Sequence, residues 1–266
     1  MQQKRNQQAE IRLGSHGEDY GSWMSNLVFY IIGGITALAV VLAILSFSVF
    51  HITALGVLLS VVTAALAALL VWITWIRRQY AFGSGGMMEQ VHQVVLSHLD
   101  FDGQGQLLDV GCGSGALSIR AALIWRAAQV VGIDYWGSAY GYGQAMCEKN
   151  AASEGVAARC RFQHGDANKL DFPDESFDAV VSNYVYHNIA GKDKQALLLE
   201  TLRVLKKGGT YAIHDLMSPG RYGDMQAFVQ KLRDMGYERM ELIDTTDGSF
   251  MTPKEAKRPV SYTHLT

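Results

Sequence analysis

Apolar residues are spaced along the chain in two different ways. Residues 27–50 and 52–76 are apolar almost throughout and contain no Asp, Glu, Lys or Arg. Each is long enough for the roughly 20 residues a helix needs to cross a bilayer. Ser46, Ser48, His51 and Thr53 add a polar tint between them, which suits a tight reversal of two helices. From about Met87 the pattern becomes short apolar runs alternating with helical periodicity. It predicts strands over 106–110, 129–134, 159–164, 178–184, 210–214 and 239–243, and helices over 88–99, 114–128, 143–153, 194–205 and 225–235. Strands separated by helices imply a doubly wound, mostly parallel α/β sheet whose ligands collect at the carboxyl ends of the strands.

The expected organisation is a polar N-terminal segment 1–26, a two-helix transmembrane hairpin 27–76, a Gly-rich flexible linker 77–86 with the boundary near Gly83, and an α/β domain 87–258. Lys4, Arg5 and Arg12 precede the first span and Arg77 and Arg78 follow the second, so the charge rule puts both ends and the α/β domain on the cytoplasmic side. Trp23, Trp72 and Trp75 stand at interfacial positions, and Gly33, Gly34, Ala64, Ala65, Ala67 and Ala68 are small enough for close helix packing. A cleaved signal peptide is not expected, because the polar leader is long and the first apolar run exceeds a signal core. Only His51 is ionisable within the hairpin, so nothing suggests a transport path.

Composition narrows the function. A net charge of −2 offers no basic field for nucleic acid. Cys112, Cys147 and Cys160 form neither a CxxC pair nor an even set, which fits buried thiols in a reducing compartment and no metal site. The acids Asp171, Asp174 and Glu175 around Pro173 read as a solvated loop.

The chemistry concentrates in LLDVGCGSGALS, residues 107–118, where an apolar strand ends on Asp109 and breaks into Gly111, Gly113 and Gly115. Glycines there let backbone amides approach a ligand, and the following helix start adds free N–H groups. Gly111, Gly113 and Ala116 also satisfy the G-x-G-x-x-A dinucleotide pattern, so NAD stays open as an alternative cofactor. Asp109 favours a ligand with a cationic amino group, since a pyrophosphate would be repelled by it. Asp134, ending the second strand in VVGIDYW, suits either ligand by accepting from ribose hydroxyls.

Four ordered blocks, LLDVGCGSG, VVGIDYW, HGDANKLDFPDESFDAVVSNYVYHN and ETLRVLKKGGTYAIHD, resemble the class I S-adenosylmethionine (SAM) dependent methyltransferases over about Met88 to Thr246. The resemblance implies a Rossmann-like methyltransferase fold with SAM as cofactor. It implies that Gly111, Gly113 and Gly115 line the methionine part, Asp109 helps hold its amino end and Asp134 binds the ribose. Tyr135 would border the adenine, Asp166 and Ala167 would meet its polar edge, and Asn183 would sit beside the sulfonium. Asp166 also suits an N-cap of the turn at Asn168.

Methyl transfer needs alignment of donor and acceptor, and a base only where the acceptor loses a proton. Candidates are Tyr184, Tyr186, His187, His214 and Asp215, with His187 and Tyr186 chosen as catalytic. The segment SNYVYHN departs from the Asn-Pro-Pro-Tyr pattern of enzymes that methylate amino groups of nucleic acids or proteins, which leaves a small-molecule or lipid-like acceptor. A SAM-binding sensor or scaffold without turnover is the alternative of a different class. KKGG at 206–209 reads as a helix C-terminus stopped by Gly208. Residues 259–266, PVSYTHLT, match one reading frame of a transposase end used in sequencing libraries and are expected to be an adapter artefact. On that reading the domain is truncated and its last antiparallel strand is missing.

Overall fold

The computed structural model describes residues 13–14, 18–21, 26–79, 82, 86–137, 141–191, 193–245 and 263–265. The charges at 4, 5 and 12, Trp23, the Gly83 boundary and residues 259–262 lie outside them. Two compact units result: residues 21–81 with 137–141, and the remainder of the chain.

The first unit is a helical hairpin, α1 (Asn26–Ser48) and α2 (Thr53–Gln79). Both helices are long and apolar enough to cross a membrane, each with mean hydropathy 2.6. The reversal is tied by Ser46, whose hydroxyl donates to the Ile52 carbonyl at 2.9 Å while the Ile52 amide donates back to the Ser46 carbonyl. At the open end Arg77 donates to the Asn26 side chain at 2.7 Å. The packing stripe differs from the expected one. On α2 the inward positions are Gly56, Leu59, Thr63, Leu66, Leu70 and Ile73, spaced three and four apart, whereas Ala64, Ala65, Ala67 and Ala68 are exposed. On α1, Ala39, Ala43 and Ser46 are buried, while a Cβ on Gly33 or Gly34 would touch nothing. Close approach is needed at Gly56 instead, where a Cβ would lie 2.6 Å from the Phe47 ring.

The second unit is the expected doubly wound sheet. Its strands are β1 (Gln106–Val110), β2 (Gln129–Asp134), β3 (Cys160–His164), β4 (Phe177–Asn183), β5 (Leu205–Asp215), β6 (Leu242–Asp244) and β7 (Thr263–Leu265), in the order 3-2-1-4-5-7-6. The first five run parallel. Helices α3 (Met87–Ser97), α4 (Ala116–Ile124) and α5 (Gln144–Ser153) belong to one face. Helices α6 (Lys194–Arg203), α7 (Pro219–Tyr222) and α8 (Met225–Asp234) belong to the other. The strands bury both faces and so read as continuous apolar runs, with Leu107, Leu108, Val110, Val180 and Val181 fully enclosed.

Three expectations are corrected. The last antiparallel strand is not missing, because Thr263–Leu265 pairs antiparallel with both β5 and β6. An open slot between two strands offers unpaired N–H and C=O groups to any extended tripeptide, whatever its side chains. KKGG is not a helix end: α6 stops at Arg203, and Lys206 to Gly209 lie inside β5. There the pairing with β4 shifts register between Phe177 and Ala179, Gly208 takes φ +76°, and Lys206 reaches both Asp178 oxygens at 2.8 and 2.9 Å. The third correction concerns the domain boundary. Leu13 and Tyr20, from the segment read as a separate polar leader, are buried in the core of the α/β unit. Phe82, in the segment read as a flexible linker, packs there too, its ring 5.3 Å from those of Tyr20 and His92.

Candidate active site

The loop after β1 is shaped by its glycines. Gly111, Gly113 and Gly115 all have positive φ, at 75°, 57° and 83°. A side chain at Gly111 would collide with Val185 at 2.2 Å and one at Gly115 would press on Phe162 and Cys147, while at Gly113 the nearest atom would be Tyr142 at 3.5 Å. The backbone is pinned from β2: the amides of Gly111 and Cys112 donate to the Ile133 carbonyl at 2.8 and 2.9 Å. Asp134 then accepts from the Gly113 amide on Oδ2 at 2.8 Å and from the Trp136 amide on Oδ1 at 2.7 Å. Those bonds use two of the roughly four acceptor positions of a carboxylate, so two ribose hydroxyls still find lone pairs.

Tyr135 is 65% exposed at the end of β2, with its ring 5.1 Å from that of His164. An aromatic ring so open at a strand's carboxyl end suits stacking against a base. Asp166 is exposed and caps its own turn, its Oδ1 accepting from the Asn168 amide at 2.8 Å and side chain at 2.6 Å. Ala167 is half-buried beside it.

Asp109 is sealed in, 1% exposed, and accepts from the Ser118 hydroxyl at 2.6 Å. Burial pushes its carboxyl up to about 7, against the opposing pull of that hydroxyl. A cationic group brought near would restore the carboxylate.

Several residues of this half were missed in the sequence. Trp136, at φ +44°, turns its indole N–H onto the Gly113 carbonyl at 2.8 Å, and the Cys147 thiol donates to the same oxygen at 3.2 Å. Asn150 is fully buried, and its amide donates to the Ser114 carbonyl at 3.2 Å and the Asp19 carbonyl at 2.8 Å while accepting from the Asp19 amide. The N-terminal segment is thereby fastened to the glycine loop through one side chain. A polar residue within the helical face of EKNAAS was the only available signal. Burial raises Cys112 well above its ordinary value and pushes Cys160 up to about 12, so neither presents a thiolate at neutral pH.

The ends of β4 and β5 form the other half. Asn183 accepts from the Nδ1–H of His214 at 3.1 Å, and the other ring nitrogen accepts from Thr245 at 3.2 Å. Burial pulls His214 down to about 4, so it is a neutral ring that orients Asn183 and serves no base at neutral pH. Tyr184 follows at φ +57°, a costly conformation for a bulky residue. Its ring meets those of His187 and His214 edge-on at 6.2 and 5.0 Å. His187 lies in a short turn, Tyr186–Asn188, with Nδ1 2.5 Å from Asp215.

Tyr186 is corrected. It is fully buried in the core, its hydroxyl paired with Thr201 at 2.6 Å, and burial raises its pKa, so it packs as a core residue. Among the described residues no three His, Cys, Asp or Glu side chains cluster as a metal site. Asp174 and Glu175 instead face Arg203 and Lys207 at 2.6 and 3.4 Å.

A methyltransferase domain family matches residues 108–213, the stretch from β1 through β5. The chain is 32% identical over 123 residues to a demethylmenaquinone methyltransferase of Bacteroides fragilis, covering 46% of this chain and 48% of that protein. It is 31% identical over 146 residues to the sterol 24-C-methyltransferase erg6 of Aspergillus fumigatus, covering 54% and 37%. An arsenite methyltransferase of Aquipseudomonas alcaligenes is 33% identical over 123 residues, covering 45% and 35%. The chain thus spans about half or less of the length of these relatives. The crystal structure of the [4+2]-cyclase SpnF shares the fold, with TM-score 0.53 at 22% identity, covering 66% of this chain and 79% of that one. These likenesses make residues 108–213 a match to a methyltransferase domain, carried on a Rossmann-like sheet with its pinned glycine loop and the acid ending β2.

Proposed function

We propose that the protein is a membrane-anchored, SAM-dependent methyltransferase acting on a small-molecule or lipid-like acceptor. The observation that carries this reading is the Asp134 carboxylate. It holds the glycine loop at Gly113 and its own turn at Trp136, and keeps acceptor capacity for a ribose. When bound, SAM supplies a methyl group on a sulfonium, which an aligned nucleophile takes without covalent help from the protein. The chain's part is then to bind and orient: Gly111, Gly113 and Gly115 cradle the methionine part, and the buried Asp109 answers its ammonium. Asp134 takes the ribose, Tyr135, Asp166 and Ala167 border the adenine, and Asn183, fixed by His214, stands beside the sulfonium. His187 is the acceptor-side residue.

The hairpin supports an anchoring role by length and composition, with Arg77 and Arg78 assigned to the cytoplasmic side. Anchoring concentrates an enzyme around a bilayer-dissolved acceptor. Relatives named for demethylmenaquinone and sterol make such an acceptor a reasonable starting class.

The test is calorimetric titration of the full chain in detergent with SAM and, in parallel, NADH. Binding of SAM that weakens at least 100-fold in Asp134→Ala is expected. Preference for NADH would overturn the reading in favour of a dinucleotide module. SAM binding without any S-adenosylhomocysteine formed on membrane lipid extract would leave a sensor.

A further inference from the structure

Asp215, the last residue of β5, is fully buried and gathers four donors. The Leu216 amide and His187 Nδ1 reach Oδ1 at 2.6 and 2.5 Å, and the Tyr222 hydroxyl and His187 amide reach Oδ2 at 2.8 and 3.2 Å. Burial by itself would raise this carboxyl, and the His187 ring, the Leu216 amide and the Tyr222 hydroxyl together hold it below the usual carboxylate range. An ionised carboxylate only accepts, so Nδ1 of His187 carries a hydrogen, and in the neutral ring Nε2 then carries the lone pair. The His187 side chain is 15% exposed, and Nε2 has no hydrogen-bond partner among the described residues. A ring that merely covered a buried acid would need neither that open edge nor the strained Tyr184 packed edge-on against it.

We infer that His187 Nε2 is the base that takes a proton from the acceptor, and that Asp215 is the positioning residue that fixes the ring's tautomer and offsets its charge. The acceptor is accordingly of the class that reacts as its conjugate base, a hydroxyarene or a carbon activated by a hydroxyl, and not an amine or thioether with a free lone pair. This rests on the methyltransferase reading. In the step, the acceptor's O–H bond breaks with its electron pair left on the acceptor, and an N–H bond forms at Nε2. The resulting imidazolium faces the Asp215 carboxylate, and the proton later leaves to water from the exposed edge of the ring. Placing such a base is worth about 100-fold or more in rate.

The full chain in detergent, labelled with 15N-histidine, tests the tautomer directly by long-range 1H–15N correlation at pH 8, with the His187 signals assigned by their loss in His187→Gln. The Nδ1–H form is expected in the native chain and in Tyr222→Phe, and a mixture of tautomers in Asp215→Asn. An Nε2–H ring in the native chain would overturn the proposal, and the Tyr222→Phe comparison stands even if Asp215→Asn does not fold. With 4-nitrophenol as probe at pH 6 and no SAM present, the bound dye is expected to absorb as nitrophenolate in the native chain and as neutral nitrophenol in His187→Gln. Neutral dye on both would count against the base. Parallel SAM titration separates the two readings: nitrophenolate on a chain that fails to bind SAM keeps the base and removes the methyltransferase, and SAM binding with an Nε2–H ring does the reverse.

Discussion

The two halves of the site are built from different materials. Around β1 and β2 the working parts are backbone amides and carbonyls, bent into place by residues at positive φ and pinned by one carboxylate. At the ends of β4 and β5 the working parts are side chains, Asn183, His187, His214 and Asp215, each oriented by another side chain from a distant element. A main-chain cradle restricts the residue type, because glycine escapes the strain of positive φ at all three loop positions and, at Gly111 and Gly115, the crowding a Cβ would meet as well. A side-chain assembly fixes only geometry, and a variety of residues can satisfy it. On the proposed function, the first half would serve the cofactor and the second would be free to vary with the acceptor.

The largest expected effect lies in the backbone half. Gly111→Ala puts a Cβ 2.2 Å from Val185 at φ +75°, and strain plus overpacking should cost about 3 kcal/mol or more, with SAM binding abolished. Gly113→Ala, with nothing nearer than 3.5 Å, should cost only the conformational strain of about 1 kcal/mol. Equal losses in urea titrations of the two variants would break the claim that the cradle is set by contact as well as by φ.

Next is Asp109. Its carboxyl is raised by burial to about 7, so between about pH 4 and 7 the unfolded chain gives up this proton while the folded chain keeps it. This group therefore lowers stability as pH rises through that window, by up to about 1.4 kcal/mol per pH unit, and its penalty is complete above the folded value. Asp109→Asn without SAM should be more resistant to urea than the native chain at pH 8 and no more resistant at pH 4. An advantage of the same size at both pH values would assign the effect to packing.

The smallest effect belongs to Tyr186→Phe, which deletes the hydroxyl bond to Thr201. It should cost about 1 kcal/mol of stability and leave turnover unchanged. A large loss of turnover at native stability would restore Tyr186 to the catalytic half.

This contrast also explains what could be read in advance. The bounds of β1 and β2 follow from short apolar runs that carry Asp109 just before the end of β1 and Asp134 at the end of β2, and the cradle follows from three glycines at alternate positions. The pairing of His187 with Asp215 spans 28 residues, and nothing local to YHN or HD announces it. Tyr186 and His187 were indistinguishable by position, and only the turn after β4 sends one inward and leaves the other partly exposed. Leu13 and Tyr20 were isolated apolar residues in a polar stretch, with no period to show that they complete a core. Thr263–Leu265 pairs through its backbone with β5 and β6, and backbone pairing leaves no side-chain pattern to read.

The meeting of Tyr20 and Phe82 has a consequence for architecture. The α/β unit releases its chain after Tyr20 and takes it back at Phe82, whose rings lie 5.3 Å apart, so the helical hairpin is an insertion between two parts of one compact unit. Insertions succeed where the two ends of the host already lie side by side, because neither end must move to admit the guest. The same adjacency makes the guest removable: a few flexible residues joining position 20 to position 82 would leave Leu13, Tyr20 and Phe82 in the core without the two apolar helices. A cut at the start of α3 would instead discard all three core residues along with the hairpin.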